Sequence, residues 1–303
     1  MTTIATFTSH KQMIKNVSEN YTSVNKSSNK ISADKQYESF HEMAPNDLRL
    51  SEDLTNQVEL TANRITNNKL LASKLNEYEN TVQTIQKVTE DAMRFVQVAK
   101  DSSNDNTLAI KDISTNYINE VKRLLSSNFN GEYLFSGSKT NISPISHIES
   151  ISNVLPDGTI TSNYYLGDNV TSAQKVSSTQ DLDYAITADN KSFQKLFAAF
   201  HYAAKYEGSK DKADLVKSFN LMDEAQKGLN EMVAVLGSNG KTVERIIQND
   251  GVAIIDQQAA LTSITSVNPE LEYPKLIMKI GKLQASFMVV AKASEMFIGD
   301  YIR

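Results

Sequence analysis

Few residues in this chain have the types and spacing that chemistry needs. Histidines occur at positions 10, 41, 147 and 201. A metal centre usually announces itself by two ligands a helical turn or a short loop apart, and these four share no such pair. There are no cysteines, which removes disulfides, thiolate ligands and Cys nucleophiles together. The segment Gly237-Ser-Asn-Gly-Lys-Thr242 ends like a phosphate-binding loop. That pattern needs a strand before the loop and a glycine at 235, where this chain has Val235. What precedes it is an amphipathic run, so the reading is a corner between two helices. Asp181/Asp183 and Glu270/Glu272 are pairs that any acidic loop can carry, and no GxSxG elbow occurs. The expectation is no enzyme, no cofactor and no metal site.

Composition narrows the class further. With 11 Gly and 5 Pro in 303 residues the chain is sparsely punctuated, which suits long helices better than a compact β or α/β fold. The balance of 31 Lys+Arg against 36 Asp+Glu gives a net charge of -5 without a basic cluster or acidic tail, so neither nucleic acid nor an anionic membrane is an expected partner. The first residues lack the basic and apolar regions of a cleavable signal peptide. The expected location is therefore the cytosol, or outside the cell by a route that reads no such peptide.

The elements that must do the work are helices. Leu48–Asn130 contains neither glycine nor proline, and Leu54, Val58, Ile65, Leu75, Val82, Ile85, Val96, Ile113, Val121 and Leu125 keep helical spacing. Thr61, Asn68 and Thr89 interrupt the stripe with polar side chains, as in a bundle whose register is tuned. The turn-forming run at 101–106 divides two helices, 49–100 and 107–130, folded back as a hairpin.

Before this hairpin, residues 1–47 carry only a thin apolar ladder (Ile4, Phe7, Met13, Ile14, Val17, Tyr21, Val24, Ile31), which implies disorder in isolation and helix when packed. After it, 131–188 is Ser/Thr-rich and β-branched, with a strand candidate at Gly131–Ser138, turn signals at 156–158 and 166–168, and strand-like patterning through Val170, Val176 and 184–187. Helix resumes near Asp189 with Asn190 as N-cap. A helix from Leu215 to Leu236 ends at Gly237, and another runs from Thr242 to about Ser266. Pro269 and Pro274 mark a bend. The last segment carries Ile277, Ile280, Leu283, Phe287, Val290 and Ile298 on one stripe. The expected fold is mainly α with a smaller β-rich part: a long antiparallel helical bundle or coiled coil made from both chain ends, with the β-rich insertion in the middle. Its parts are a segment at 1–47 that is disordered until assembly, the hairpin of a rod domain at 48–130, a β-rich outer domain at 131–188, helices returning to the rod at 189–274, and an assembly helix at 275–303.

That order of parts resembles the flagellin superfamily. Asn130-Gly-Glu-Tyr-Leu-Phe-Ser-Gly-Ser-Lys-Thr140 followed by Pro144, Tyr164-Tyr-Leu-Gly-Asp168, Tyr184-Ala-Ile-Thr-Ala-Asp189, Leu283-Gln-Ala-Ser286 and Ile298-Gly-Asp-Tyr-Ile302 are similar, within it, to the hook-filament junction proteins (hook-associated protein 3, FlgL type). The serine-rich loop of that family carries an acidic pair and a proline, and here reads Glu42-Met-Ala-Pro45, so one acid and the proline remain.

The resemblance implies a structural protein of the bacterial flagellum. It would be a junction adaptor joining hook to flagellin filament by lateral packing of its terminal helices in a ring or helical assembly. It also implies export through the flagellar type III channel to an extracellular site, a neighbouring hook-associated protein and flagellin as partners, and an export chaperone on the C-terminal helix. The residues expected at the assembly interface are Ile4, Phe7, Ile14, Val17 and Val24 at one end and Ile280, Leu283, Phe287, Val290 and Ile298 at the other; the same stripes could equally be packed inside one subunit. Two alternatives stand beside the adaptor: a minor flagellin of the filament, and a cytosolic coiled-coil scaffold without a flagellar role.

Overall fold

The computed structural model describes residues 2–101, 109–146, 154–161, 164–170 and 173–301, with the side chains of 2–7, 40 and 296–301 left aside. Along these residues the elements are α1 (Thr2–Ser32), a 3₁₀ turn (Phe40–Glu42), α2 (Pro45–Asp101), α3 (Ile110–Leu125), β1 (Asn128–Phe129), β2 (Glu132–Tyr133), β3 (Ala173–Lys175), β4 (Asp181–Asp183), α4 (Lys191–Ser209), α5 (Lys212–Thr265) and α6 (Pro269–Tyr301). The fold is mainly α with a small β part, as the punctuation of the sequence implies. The chain divides into a terminal unit, residues 1–61 with 252–303, and a middle unit, residues 62–251. No described helix is long and apolar enough to cross a membrane.

The middle unit holds the large apolar core. From Asn68 to Ala99 the fully buried positions of α2 step by three and four: Asn68, Leu71, Leu75, Tyr78, Val82, Ile85, Thr89, Ala92, Val96, Ala99. A period of seven is the seam of a left-handed coiled coil. Within this unit α5 runs antiparallel to α2. Gln86 Nε2 donates to Asn230 Oδ1 at 2.7 Å and Gln226 Nε2 to Glu90 Oε1 at 3.3 Å, while Arg64 grips Asp250 through Nε and Nη2 at 2.6 and 2.7 Å.

One expectation fails on α5. The two helices read as 215–236 and 242–266 are a single helix, and Gly237–Thr242 is helical throughout. The buried positions explain it: Leu215, Ser218, Met222, Ala225, Leu229, Met232 and Leu236 continue to Val243, Ile246 and Asp250 without a change of period. Each glycine costs about 1 kcal/mol in a helix interior, less than breaking a seam that holds its register on both sides. With their N–H groups spent on helical bonds, Gly237–Thr242 form no phosphate cradle. The bend expected at Pro269 and Pro274 stands at 266–268, between α5 and α6; Pro269 opens α6, while Pro274 lies inside that helix. Pro45 opens α2 as Pro269 opens α6, because a first-turn residue has no helical partner for its N–H anyway.

Helices α3 and α4 pack on each other, with Tyr117 stacked on Phe200 at 5.8 Å and Glu207 Oε2 accepting the Lys111 N–H at 2.7 Å. The break expected at 101–106 falls largely outside the described residues; α3 ends at Leu125 rather than 130 because a hairpin begins at once. Asn130 and Gly131, with φ of 53° and 89°, form its two-residue turn, pairing Asn128 with Tyr133 and Phe129 with Glu132, the geometry that an Asn-Gly pair favours.

The insertion contains less strand than its composition suggests. Residues 184–187 and Val170 are not strand, and Val176 follows β3, which pairs with β4. Its backbone groups find partners elsewhere. The Ala188 N–H donates to the Phe135 carbonyl, Tyr164 Oη to the Ala188 carbonyl, and Tyr165 Oη to the Asp168 carbonyl. Gly137, at φ 69°, lies where a Cβ would stand 2.1 Å from the Asp168 carbonyl oxygen, so only glycine fits. The short words of the sequence thus close on one another. Behind them Tyr78, Phe135 and Phe193 meet edge to face, as do Tyr164 and Phe197.

Candidate assembly surface

In the terminal unit α1 and α6 pack antiparallel along their lengths. Asn20 Nδ2 donates to Ser286 Oγ at 3.2 Å, and Ser27 Oγ donates to Glu272 Oε1 at 2.5 Å while accepting from Lys279 Nζ at 2.7 Å. The shielded positions on α6 are Glu272, Leu276, Lys279, Leu283, Ser286, Val290 and Ala293, again stepping by four and three. On α1 they include Met13, Val17, Asn20, Val24, Ser27 and Ile31 with the same period. Along both helices polar and apolar positions largely alternate, so the seam is apolar in only about half of its layers.

Glu272 is nearly buried, and the Ser27 hydroxyl, helped by Lys275 and Lys279, holds its carboxyl below the usual range against the opposing effect of burial. Glu270, its partner in the acidic pair, sits exposed in the first turn of α6, where a negative charge suits the helix dipole.

The chain leaves α1 through Asp34, at φ 51°, with the Lys35 N–H capping the Lys30 carbonyl. The following loop is pinned at several points. The Gln36 N–H donates to the Thr265 carbonyl at 2.7 Å, Tyr37 Oη to Asp47 Oδ2 at 3.1 Å, and the Glu42 carboxylate takes both Lys26 Nζ and the Glu38 N–H. This hydrogen bond, donated by Lys26 and accepted by Glu42, lowers the Glu42 pKa and raises the Lys26 pKa. Glu42 is thus one of several ties on this loop, and Pro45 starts α2.

The residues expected at the interface fall into two sets. Val17, Val24, Leu283 and Val290 line the α1–α6 seam and are half-buried. Ile14, Ile280 and Phe287 point away from it, and Phe287 is 53 % exposed. The side chains of Ile4, Phe7 and Ile298 lie outside the described residues. Beside the exposed pair on α6 stand Tyr273, Ile277 and Met288, with Ile277 68 % exposed. Tyr273, Ile277, Ile280 and Phe287 are offset by one residue from the seam and step with the same period, with Gln284 between the last two and Met288 alongside; helical spacing alone does not separate the two faces. The signal that divides them is polar: residues 272, 279 and 286 are Glu, Lys and Ser, while 273, 280 and 287 are Tyr, Ile and Phe.

Among the described residues no group of three or more His, Asp or Glu could hold a metal ion. His201 is held below its ordinary pKa, mainly by burial, and His147 is outside the described residues. Asp181 and Asp183 flank Leu182 on the exposed face of β4.

No family model and no curated relative matches the sequence. Among solved structures, the chain is similar to a protein of Vibrio parahaemolyticus assigned as flagellar hook-associated, with a TM-score of 0.56 and 14% identity over 74% of this chain and 100% of that one. It is also similar to FlgL of Bacillus cereus, with a TM-score of 0.52 and 16% identity over 72% of this chain and 100% of that one. At such identities the likeness is one of fold, and the fold of this chain is the one those two flagellar proteins share.

Proposed function

We propose that this chain is a structural protein of the bacterial flagellum, a hook-associated adaptor at the junction of hook and filament. The observation that carries the reading is the open apolar strip of α6, Tyr273, Ile277, Ile280, Phe287 and Met288. An exposed apolar strip, interrupted here only by Gln284, on a helix whose other face is already packed is a surface for a protein partner. Repetition of such a contact by copies of the same chain closes a ring or continues a helix. The shared fold of the two flagellar proteins supports the setting. In this reading Ile14, Ile280 and Phe287 contact neighbouring subunits. Val17, Val24, Leu283 and Val290 shape the helix pair that presents them. The subunit leaves the cell through the flagellar type III channel, with a chaperone shielding α6 beforehand, and then meets another hook-associated protein on one side and flagellin on the other.

The test is immunogold electron microscopy of detached flagella with an antibody to residues 142–187. The expected outcome is a narrow band where hook meets filament. Label along the whole filament would make the protein a minor flagellin, and protein confined to the cytosol would replace the flagellar reading with a scaffold.

A further inference from the structure

The face of α6 that α1 covers is the less apolar of two. Both faces carry a seven-residue period. The covered one alternates Glu272, Lys279 and Ser286 with Leu276, Leu283 and Val290, whereas the open one presents Tyr273, Ile277, Ile280 and Phe287, with Gln284 as its one polar member between them. Apolar burial alone would draw α1 to the open face. Nor does apolar packing set the register along the covered face, because a slip of one heptad again lays leucines and valines over one another.

We propose that the polar half of this seam is a face and register selector. Ser27, Glu272 and Lys279, seconded by Asn20 and Ser286, commit α1 to one face of α6 in one register and thereby keep the more apolar face outward. Among the described side chains of α1, Ser27 is the fully buried one, and its small hydroxyl serves Glu272 and Lys279 at once, at 2.5 and 2.7 Å. Rotated onto the open face, Ser27 and Asn20 would meet isoleucine and phenylalanine, and the Glu272 carboxylate would lose its hydroxyl donor. Unpaired polar groups in a covered seam are costly enough to reject such arrangements. Slipped by one heptad, Asn20 would face Ala293 or Lys279 in place of Ser286. A polar layer that lowers the stability of a helix pair while fixing its alignment is a known use of such residues. This inference stands on the seam itself and does not depend on the flagellar reading.

The chain has no cysteine of its own, so engineered pairs report alignment without background. Three full-length proteins are oxidised at high dilution, and the disulfides of the monomer band are quantified by mass spectrometry. All carry Asn20→Cys, paired with Ser286→Cys for the observed alignment, Phe287→Cys for the rotated face, or Ala293→Cys for the slipped register. With Ser27, Glu272 and Lys279 present, the 20–286 disulfide is expected to exceed each of the others by at least about tenfold. With Ser27→Leu, Glu272→Leu and Lys279→Leu together, the three are expected to fall within about threefold of one another. If that triple replacement does not fold, Glu272→Gln with Lys279→Met keeps the side-chain sizes and is expected to lower the ratio at least about threefold. An unchanged preference in the folded variants, or a parent that forms no 20–286 disulfide within one chain, overturns the proposal.

Discussion

The α2–α5 seam of the middle unit and the α1–α6 seam of the terminal unit share a period and an antiparallel sense, yet they are built from different materials. The first is lined by Leu71, Leu75, Val82, Ile85, Leu229 and Leu236, all almost wholly buried, and it merges into one continuous apolar cluster with α3, α4 and the insertion. In the terminal unit the buried apolar side chains among the described residues are Val267 and Ala293. Stability therefore resides in the middle, and the terminal pair relies on polar matching for its geometry. A helix pair stabilised chiefly by hydrogen bonds is specific rather than strong, since each such bond contributes about 0.5–1.5 kcal/mol net. That leaves the apolar strip of α6 as the larger unused source of association energy.

Two phenylalanines put this contrast to its sharpest test. Phe197 is fully buried and meets Tyr164 edge to face at 5.5 Å; Phe197→Ala is expected to destabilise the middle unit by about 3–5 kcal/mol, read from the shift of its denaturant midpoint. Phe287 is more than half exposed, and Phe287→Asp is expected to move the same midpoint by less than about 0.5 kcal/mol. If the proposed assembly holds, attachment of filaments to hooks is expected to fail in the Phe287→Asp strain, because a charge would enter the seam proposed between subunits. Normal motility in that strain would count against the outward strip as an assembly surface.

Acid distinguishes the seams next. The Glu272 carboxyl is held below its ordinary value in the folded protein, chiefly by the Ser27 hydroxyl. Its contribution is fully present above the ordinary glutamate value of about 4.3 and is lost as pH falls through the lower folded value. The stability difference between parent and Glu272→Gln, followed by protection of α1 amides against exchange, should therefore be present at neutral pH and shrink towards zero in acid. A difference that stays constant with pH would mean that the carboxylate is not held by Ser27 in solution.

Much of this was readable beforehand, and the failures have physical causes. The buried stripe of α2, its polar interruptions at Thr61, Asn68 and Thr89, and the Asn190 cap, whose side chain accepts from the Ser192 N–H, stand where spacing put them. The aromatic and glycine words of 130–140, 164–168 and 184–189 carried a family resemblance because they clamp one another, with Gly137 against Asp168 and Ala188 against Phe135. Patterning overstated strand in the insertion, since β-branched residues also suit irregular chain laid over helices. At the ends, helical spacing alone could not separate Val17, Val24, Leu283 and Val290 from Ile14, Ile280 and Phe287. Two adjacent faces of α6 keep the same period and differ in where their polar members stand, at 272, 279 and 286 on one and at Gln284 on the other.

The remaining misreading, the corner at Gly237–Thr242, leads to the smallest effect and a clear sign. In a corner, a glycine takes up a left-handed conformation, and alanine there is strained. In the continuous α5, Gly240 has no positive φ, and a Cβ added to it meets nothing within 4 Å. Gly240→Ala is then expected to stabilise the chain by about 0.5–1 kcal/mol, because alanine has less freedom to lose on folding. Urea denaturation of the two proteins side by side gives the answer. A rise in midpoint at unchanged slope places residue 240 inside a helix whose seam runs from Leu236 to Val243 unbroken. A fall would restore the corner, and with it two separate helices in place of the single partner that lies along α2.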